Sequence, residues 1–449
     1  MPASPSTARA INDRLALRLL QDEGPLTAGQ LKQLTGLSRP TVADLVERLT
    51  AAGLIEVAGE TGEQRRGPNA RLYGLVADRA QLAALDVRTE GVAVLVSDLV
   101  GRVLAEASVP IDGDMGTGPA VEQAVTLVER VAKEAGADRL HTVGIGAPGL
   151  IDPASGELYD SGGLPEWHRR LVAVLQERLP HARVSVENET NLAALAEQRE
   201  GAARDRDTFV LLWLGHGTGA AVVLDGHLRR GASGGTGEIG FLPVPGTGAL
   251  PSATDCEGGF HSLAGSAAIA ALARDHGLPA LPEGEEPAGA AGVREAVRLI
   301  GGVGVGAASG GSGAAAGGVG VGAGGASAGG EGGAAARGDG GASAGSEGGA
   351  AARGDGVGAA GRFLDALAER IALGVASVVA VLDPGCVVLG GEVGRAGGSV
   401  LAERVAVRLR LMAPLPTEVR PSALGGGAVL RGALLTARES AQEELFGTP

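Results

Sequence analysis

Two groups of side chains have the types and spacing for recognition chemistry. Ser38, Arg39 and Thr41 stand at the start of a segment with helical periodicity. At the N-terminal end of a helix laid in a DNA major groove, Arg39 reaches guanine edges or phosphate. Thr41 reaches a phosphate or a thymine methyl, with Asp44 one turn on. Further along, GEQRRGPNAR clusters Arg65, Arg66 and Arg71, a basic tip able to grip the sugar-phosphate backbone or the minor groove. A second chemistry is suggested by Gly215-His216-Gly217-Thr218-Gly219, whose glycines let backbone N–H groups approach a phosphate; tight strand turns need the same glycines. Glu238, set among glycines in GTGEIG, is hard to explain as a purely structural carboxylate.

The elements that must carry the first group read directly from residue spacing. Ile11–Gln21 places Ile11, Leu15, Leu19 and Leu20 at helical intervals. Thr27 is a helix cap for Ala28–Thr35, with Leu31 and Leu34 inward, and Gly36-Leu37 makes a tight turn. Ser38 caps a third helix that tolerates Pro40 in its first turn and aligns Val42, Leu45, Val46 and Leu49. Helix, short glycine turn and helix form a helix-turn-helix. Leu54–Val57 and Arg71–Leu75 read as paired strands, so the arginines lie on a wing. A three-helix domain for protein contacts is the competing reading.

The chain has 449 residues and a formal net charge of −14. That length predicts two or three domains, and that charge argues against a protein coated in nucleic acid while allowing one small DNA-reading face. Lys32 and Lys133 are the only lysines, a bias expected of a GC-rich genome. Cys256 and Cys386 are too few for a disulfide framework or a four-cysteine zinc site. The longest apolar run, around Val375–Leu382, is too short to cross a bilayer, and no signal peptide is read at the start. A soluble cytoplasmic protein without membrane association is expected.

Residues 282–360 stand apart in composition. They are dominated by Gly, Ala, Ser and Val, and GASAGGEGGAAARGDG (Gly325–Gly340) recurs immediately as GASAGSEGGAAARGDG (Gly341–Gly356). Without large apolar side chains such a repeat is expected to be a disordered surface insertion with no specific role. The domains then read as 1–80, a winged helix-turn-helix; 81–281, the first part of an α/β domain; 282–360, the insertion; and 361–449, the rest of the α/β domain.

The α/β part resembles the ROK family of repressors, open reading frames and kinases. LGHGTGAAVVLDGHLRRGASGGTGEIGF (Leu214–Phe241) is similar to the family signature, with Gly217, Gly219, Ala221, Gly231, Gly237 and Gly240 in place and Phe241 where a basic residue, often His, is usual. VGIGAPGLID (Val143–Asp152), VENETNLAALAE (Val186–Glu197) and LDPGCVVLGGEV (Leu382–Val393) resemble three further family segments. GGLPEWH (Gly162–His168) stands where the family has an NLPGW-like loop. The resemblance implies a two-lobed actin and hexokinase-like (ribonuclease H-like) α/β fold, with a nucleotide, when bound, between the lobes and a sugar deeper in the cleft.

It also implies where kinase chemistry is lost. The family's DxGGT turn is Asp86-Val87-Arg88-Thr89-Glu90, lacking both glycines and gaining a carboxylate where phosphates would lie. The family's catalytic aspartate is replaced by Glu189, whose carboxylate is displaced by one methylene, and a shift of about 1 Å can cost roughly a hundredfold in rate. No catalytic residue, cofactor or metal is therefore expected. The zinc loop is reduced to Asp255-Cys256-Glu257-Gly258-Gly259-Phe260-His261, and with Phe241 upstream it cannot complete a tetrahedral site. By the resemblance, Asn188, Glu189, Glu238 and His261 are the ligand-binding candidates, with Ser262 alternative to His261. Glu187 reads either as their neighbour or as a structural, lobe-bridging carboxylate, and Trp167 as a stacking platform or as core.

The expected function is a sequence-specific transcriptional regulator, a repressor of carbohydrate-utilisation genes, with double-stranded operator DNA and a sugar effector as partners. A homodimer or homotetramer would place two heads on a palindromic site. An active sugar kinase with a DNA-binding head, and a regulator that binds DNA without any ligand, are the rival readings.

Overall fold

The computed structural model describes residues 5–60, 70–159, 164–252, 257–279, 286–304 and 346–447. Helix α1 (Pro5–Asp22) and the short strand β1 (Leu26–Thr27) lead into α2 (Ala28–Thr35) and α3 (Arg39–Ala51), followed by strands β2 (Ile55–Glu60) and β3 (Arg71–Leu75). The strands form an antiparallel sheet in the order β1-β3-β2. Local chemistry sets the boundaries. Thr27 and Gln30 make a reciprocal capping box, each bonding the other's backbone N–H. Gly36, at φ 70°, ends α2 in the left-handed conformation. Ser38 caps α3, and its Oγ lies 2.8 Å from Thr41 Oγ1.

Val42, Leu45, Val46 and Leu49 are all buried, as is Leu31. Three expected inward residues are not: Ile11, Leu15 and Leu34 are 58, 40 and 50% exposed. In α1 the buried face is Ala16, Leu17 and Leu20. An alanine takes the innermost position, which rotates the helix away from the stripe defined by its larger side chains.

The first lobe consists of β4 (Gln81–Arg88), β5 (Gly91–Asp98), β6 (Val103–Pro110), α4 (Thr117–Glu134), β7 (Leu140–Ala147), α5 (Trp167–Arg178) and β8 (Arg183–Asn188). Helix α6 (Glu189–Glu200) leads to the second lobe: β9 (Phe209–Leu214), β10 (Thr218–Leu224), β11 (His227–Arg229), α7 (His261–Ala264), α8 (Ser266–Asp275), α9 (Ala288–Gly304), α10 (Ser346–Leu382), β12 (Cys386–Gly390), α11 (Gly391–Met412) and β13 (Glu418–Pro421). Helix α12 (Ala428–Phe446) closes the chain path. The sheets run β6-β5-β4-β7-β8 and β11-β10-β9-β12-β13. In each, the first strand is central, the next two extend one side antiparallel, and the last two extend the other side parallel. This duplicated topology is the two-lobed actin and hexokinase-like architecture that the sequence resemblance implies.

Strand periodicity divides the apolar side chains into layers. On β4, Ala83, Leu85 and Val87 face a core under α4 and α5, while Leu82 and Ala84 face a central core. On β9, Val210, Leu212 and Leu214 face a core formed with α8 to α11, while Phe209 and Leu211 join the central one. The central core holds Leu192 and Ala193 of α6 and Val429, Ala433 and Phe446 of α12. It continues without a break into Leu17, Leu20 and Leu45 of the head.

The expectation of a structureless 282–360 is corrected at both ends. Ala288–Gly304 is helical, with Ala290, Val293 and Ala296 fully buried, and α10 begins at Ser346, within the second repeat copy. Alanine has the highest helix propensity, and small residues three apart can seal a groove that low-complexity composition does not advertise. Gly325–Gly340 and the first five residues of the second copy lie outside the described residues.

Helix α12 meets its neighbours almost backbone to backbone. A Cβ on Gly432 would lie 2.1 Å from the Leu192 carbonyl oxygen of α6, and one on Gly144 of β7 would lie 2.5 Å from that of Ala433. Neither carbonyl can step aside without moving its helix. Gly432→Ala is expected to destabilise the protein by about 1–3 kcal/mol, lowering its thermal midpoint. Gly427→Ala, where an added Cβ meets nothing within 4 Å, is the matched control in the same melts.

Candidate functional site between the lobes

The site forms where β4, β8 and the β9–β10 turn converge on the N-terminus of α6. Asn188 caps that helix, its Oδ1 accepting the N–H groups of Thr190 (2.8 Å) and Asn191 (3.3 Å). Its Nδ2 donates to the Gly149 carbonyl (3.0 Å) and to Glu189 Oε2 (3.0 Å). Both ends of the Asn188 amide are thus engaged with protein, and it acts on the cleft by holding Glu189.

Glu189 starts α6 and faces Asp86, Glu238 and Glu392. Burial, reinforced by these like charges, raises its pKa to about 8, so it is mostly protonated at pH 7. Asp86 is 4% exposed and is also raised by burial, against the pull of Arg88. Its Oδ2 accepts from Arg88 Nε (3.0 Å) and from a terminal nitrogen (2.8 Å), while Oδ1 has no partner among the described residues. Glu238 keeps solvent contact, yet enclosing protein raises it in the same direction. Its turn is fixed by Gly237, at φ 93°, where a Cβ would overlap the Ala220 carbonyl at 1.8 Å.

The lobes are tied together by polar pairs whose partners sequence reasoning did not supply. Arg88 extends from Asp86 to Glu392 Oε1 on α11, 2.6 Å away. Arg230, beyond β11, donates to Glu187 Oε2 on β8 at 2.6 Å, which gives Glu187 the lobe-bridging role. Glu90, in the turn after β4, pairs with His216 in the β9–β10 turn at 2.9 Å. Arg88 stands where the family's turn has its first glycine and Glu90 where it has its threonine, so only the departure from the pattern, not the partner, was visible beforehand.

His261 begins α7, partly buried, and burial lowers its pKa. It follows Phe260, whose fully buried ring lies where a Cβ on Gly374 would intrude at 2.5 Å. Ser262 Oγ accepts the Gly258 N–H. Cys256 lies outside the described residues. Trp167 is 5% exposed and edge-on to His168 at 4.3 Å, so it belongs to the core. His168 is buried with its pKa lowered to about 4, chiefly by burial.

At the head, Ser38 and Arg39 are exposed on the open end of α3, and Thr41 is half-buried beside them. Arg48 is committed to Asp13 (2.6 Å) and to Asp44. Arg71 is exposed opposite Glu60, while Arg65 and Arg66 lie outside the described residues.

Glu189 has a folded pKa above its ordinary value, so the folded state binds the extra proton. Stability on its account is full below about pH 4.5 and falls as pH rises towards 8. Glu189→Gln is therefore expected to be more stable than the parent at pH 8.5, by at least about 1.4 kcal/mol, the value of one pKa unit. The difference should vanish near pH 4.5; denaturant melts at the two pH values measure it.

Residues 82–286 and 350–440 match the ROK family, and residues 11–67 match the MarR family. The chain is 26% identical over 238 residues to the xylose repressor of Caldicellulosiruptor bescii, covering 53% of this chain and 59% of that protein. It is 27% identical over 244 residues to the Escherichia coli DNA-binding transcriptional dual regulator NagC, covering 53% and 58%. It thus spans under two thirds of the curated relatives it matches. Among solved structures, a ROK family transcriptional regulator homologous to the E. coli MLC protein superposes with a TM-score of 0.68 at 19% identity, covering 98% of each chain. The ROK hexokinase of Thermus thermophilus gives 0.53 at 26% identity, covering 81% of this chain and 99% of that one. With matched segments spanning most of both lobes, and with the duplicated sheet topology, this chain belongs to the ROK family.

Proposed function

We propose that this protein is a DNA-binding transcriptional regulator, a repressor of carbohydrate-utilisation genes, whose two-lobed domain senses a sugar instead of phosphorylating one. The observation that carries this reading is the continuous packing from cleft to head. Helix α6 begins with Glu189 in the cleft and lies against α12 at Gly432. Helix α12 ends against α1, where Gln442 donates to Gln21 at 2.8 Å and Phe446 is buried in the core shared with the head. A ligand that shifts α6 by binding at its N-terminus changes the seat of α1, and with it the placement of α3. The effector acts through its differential affinity for the two arrangements.

Phosphoryl transfer is disfavoured by the same geometry. Phosphates need free N–H groups and cations, whereas the end of β4 and the turn after it present Arg88 and Glu90, both held by partners on the opposite lobe. Two or four copies would present paired heads to a palindromic operator. The absence, among the described residues, of a helix long and apolar enough to cross a membrane agrees with a cytoplasmic site of action.

The test is a mobility shift of the full chain on its own upstream DNA, with and without unphosphorylated sugars. A specific shift that one sugar weakens or strengthens supports the reading. A shift indifferent to every sugar favours a ligand-independent regulator, and no shift with sugar-dependent ATP consumption restores the kinase. Arg39→Ala is expected to weaken the shift by about 1–3 kcal/mol, preferentially on the cognate site, as fluorescence anisotropy on cognate and scrambled duplexes would show.

A further inference from the structure

We propose that Arg230 is a positioning residue for the response to effector: through Glu187 it couples the loop that carries Glu238 to helix α6, and so to the head. This rests on the sensor reading above, with Glu238 as a contact of the effector, and names the link between that contact and the helix that answers it.

Glu238 ends a loop of the second lobe whose placement is governed from the first. The loop starts at Arg230, directly after β11, and closes on itself where the Thr236 N–H donates to the Arg230 carbonyl at 3.2 Å. Its tip rests on the first lobe: at Gly234, with φ 79°, an added Cβ would overlap the Ile151 carbonyl oxygen. Its end is tied to β10, where the Ala220 N–H donates to the Gly237 carbonyl at 2.8 Å. A group that draws on Glu238 therefore pulls a segment held at its start, tip and end, and the strain passes to those holds.

The charged hold is the pair Arg230–Glu187, Nε to Oε2 at 2.6 Å. Glu187 is buried, and its other oxygen is occupied as well. Oε1 accepts the Asn188 N–H at 2.9 Å and Asn191 Nδ2 at 3.0 Å. Asn191 is a buried residue in the first turn of α6, so one carboxylate grips the helix with one oxygen and the loop with the other. Charge-assisted bonds in a partly dry setting are strong and directional. Glu187 cannot follow the loop without drawing on Asn191 or giving up its arginine. The link is separate from Glu189, and it carries to α6 a displacement that begins at Glu238 on the opposite lobe. The Arg230 side chain is 45% exposed, so its removal cuts the link without opening a cavity in a core.

The experiment measures coupling. Fluorescence anisotropy gives the affinity of the full chain for its own upstream DNA, without sugar and with saturating D-glucose, D-xylose or N-acetyl-D-glucosamine, while calorimetry follows sugar binding alone. The parent is expected to change its DNA affinity by at least about fivefold with one of these sugars. The double variant Glu187→Gln/Arg230→Met strands no charge, and its factor is expected to fall to within about twofold of unity. In that variant the sugar still binds, and DNA affinity without sugar stays within about threefold of the parent's. Arg230→Lys, which keeps the charge and a donor, is expected to retain part of the factor. A parent-sized factor in the double variant overturns the inference, because Arg230 then only neutralises Glu187, and the sensor reading stands. A factor lost together with DNA affinity or with sugar binding also overturns it, since the pair then holds the fold or the site and not the coupling. A parent indifferent to all three sugars removes the sensor reading, and this inference with it.

Discussion

At Gly432 the backbone of α12 lies against the backbone of α6 with space for a hydrogen atom and little else. Much of the architecture follows from that contact. Helix α12 can fill the gap between the lobes because Gly432 lets it approach α6 and Gly144 lets β7 approach it. Once there, it covers the inner face of the first sheet, adjoins the helix that carries Glu189, and ends against the first helix of the head. A bulky side chain at the crossing would push these elements apart and sever the central core from that of the head. Close packing of this kind transmits small displacements, because well-packed interiors have two discrete arrangements more readily than a continuum of them.

A second constraint ties α6 from its other end. Glu197, fully buried, accepts the N–H groups of Ala202, Ala423 and Leu424 and the hydroxyl of Ser422. A buried carboxylate is tolerated when its lone pairs are filled in this way. Here it anchors the loop before α12 to the end of α6. The helix is thereby anchored at its C-terminus by Glu197, as its N-terminus, where Glu189 and the cleft lie, is anchored by the Asn188 cap.

The head was legible to the residue where caps define it: Thr27, Gly36 and Ser38 act through local hydrogen bonds and backbone conformation, which sequence states directly. Strand alternation on β4 and β9 was equally open to reading. The stripe on α1 was misjudged because Ala16, not a large side chain, takes the innermost place. Helix α9 was missed because small residues seal grooves without raising the apolar count. In the cleft, motif positions drew attention to Glu189 and Glu238, yet they could not reveal that the Asn188 side chain caps α6. Nor could they supply the partners of Arg88, Glu90 and Glu187, which lie more than forty residues away and meet only when the lobes fold.

The pairing of Arg88 with both Asp86 and Glu392 has a consequence for descent. Replacing Arg88 by the glycine of a phosphate-binding turn would strand two carboxylates, one of them deep in the interior, at a cost of about 3–5 kcal/mol. Replacing Glu392 first would leave the guanidinium half-satisfied and still in the way. Either change alone leaves a charged group without its partner. Like a keystone with its two neighbours, Arg88 can be exchanged only together with changes at Asp86 and Glu392, so the three positions drift as one unit.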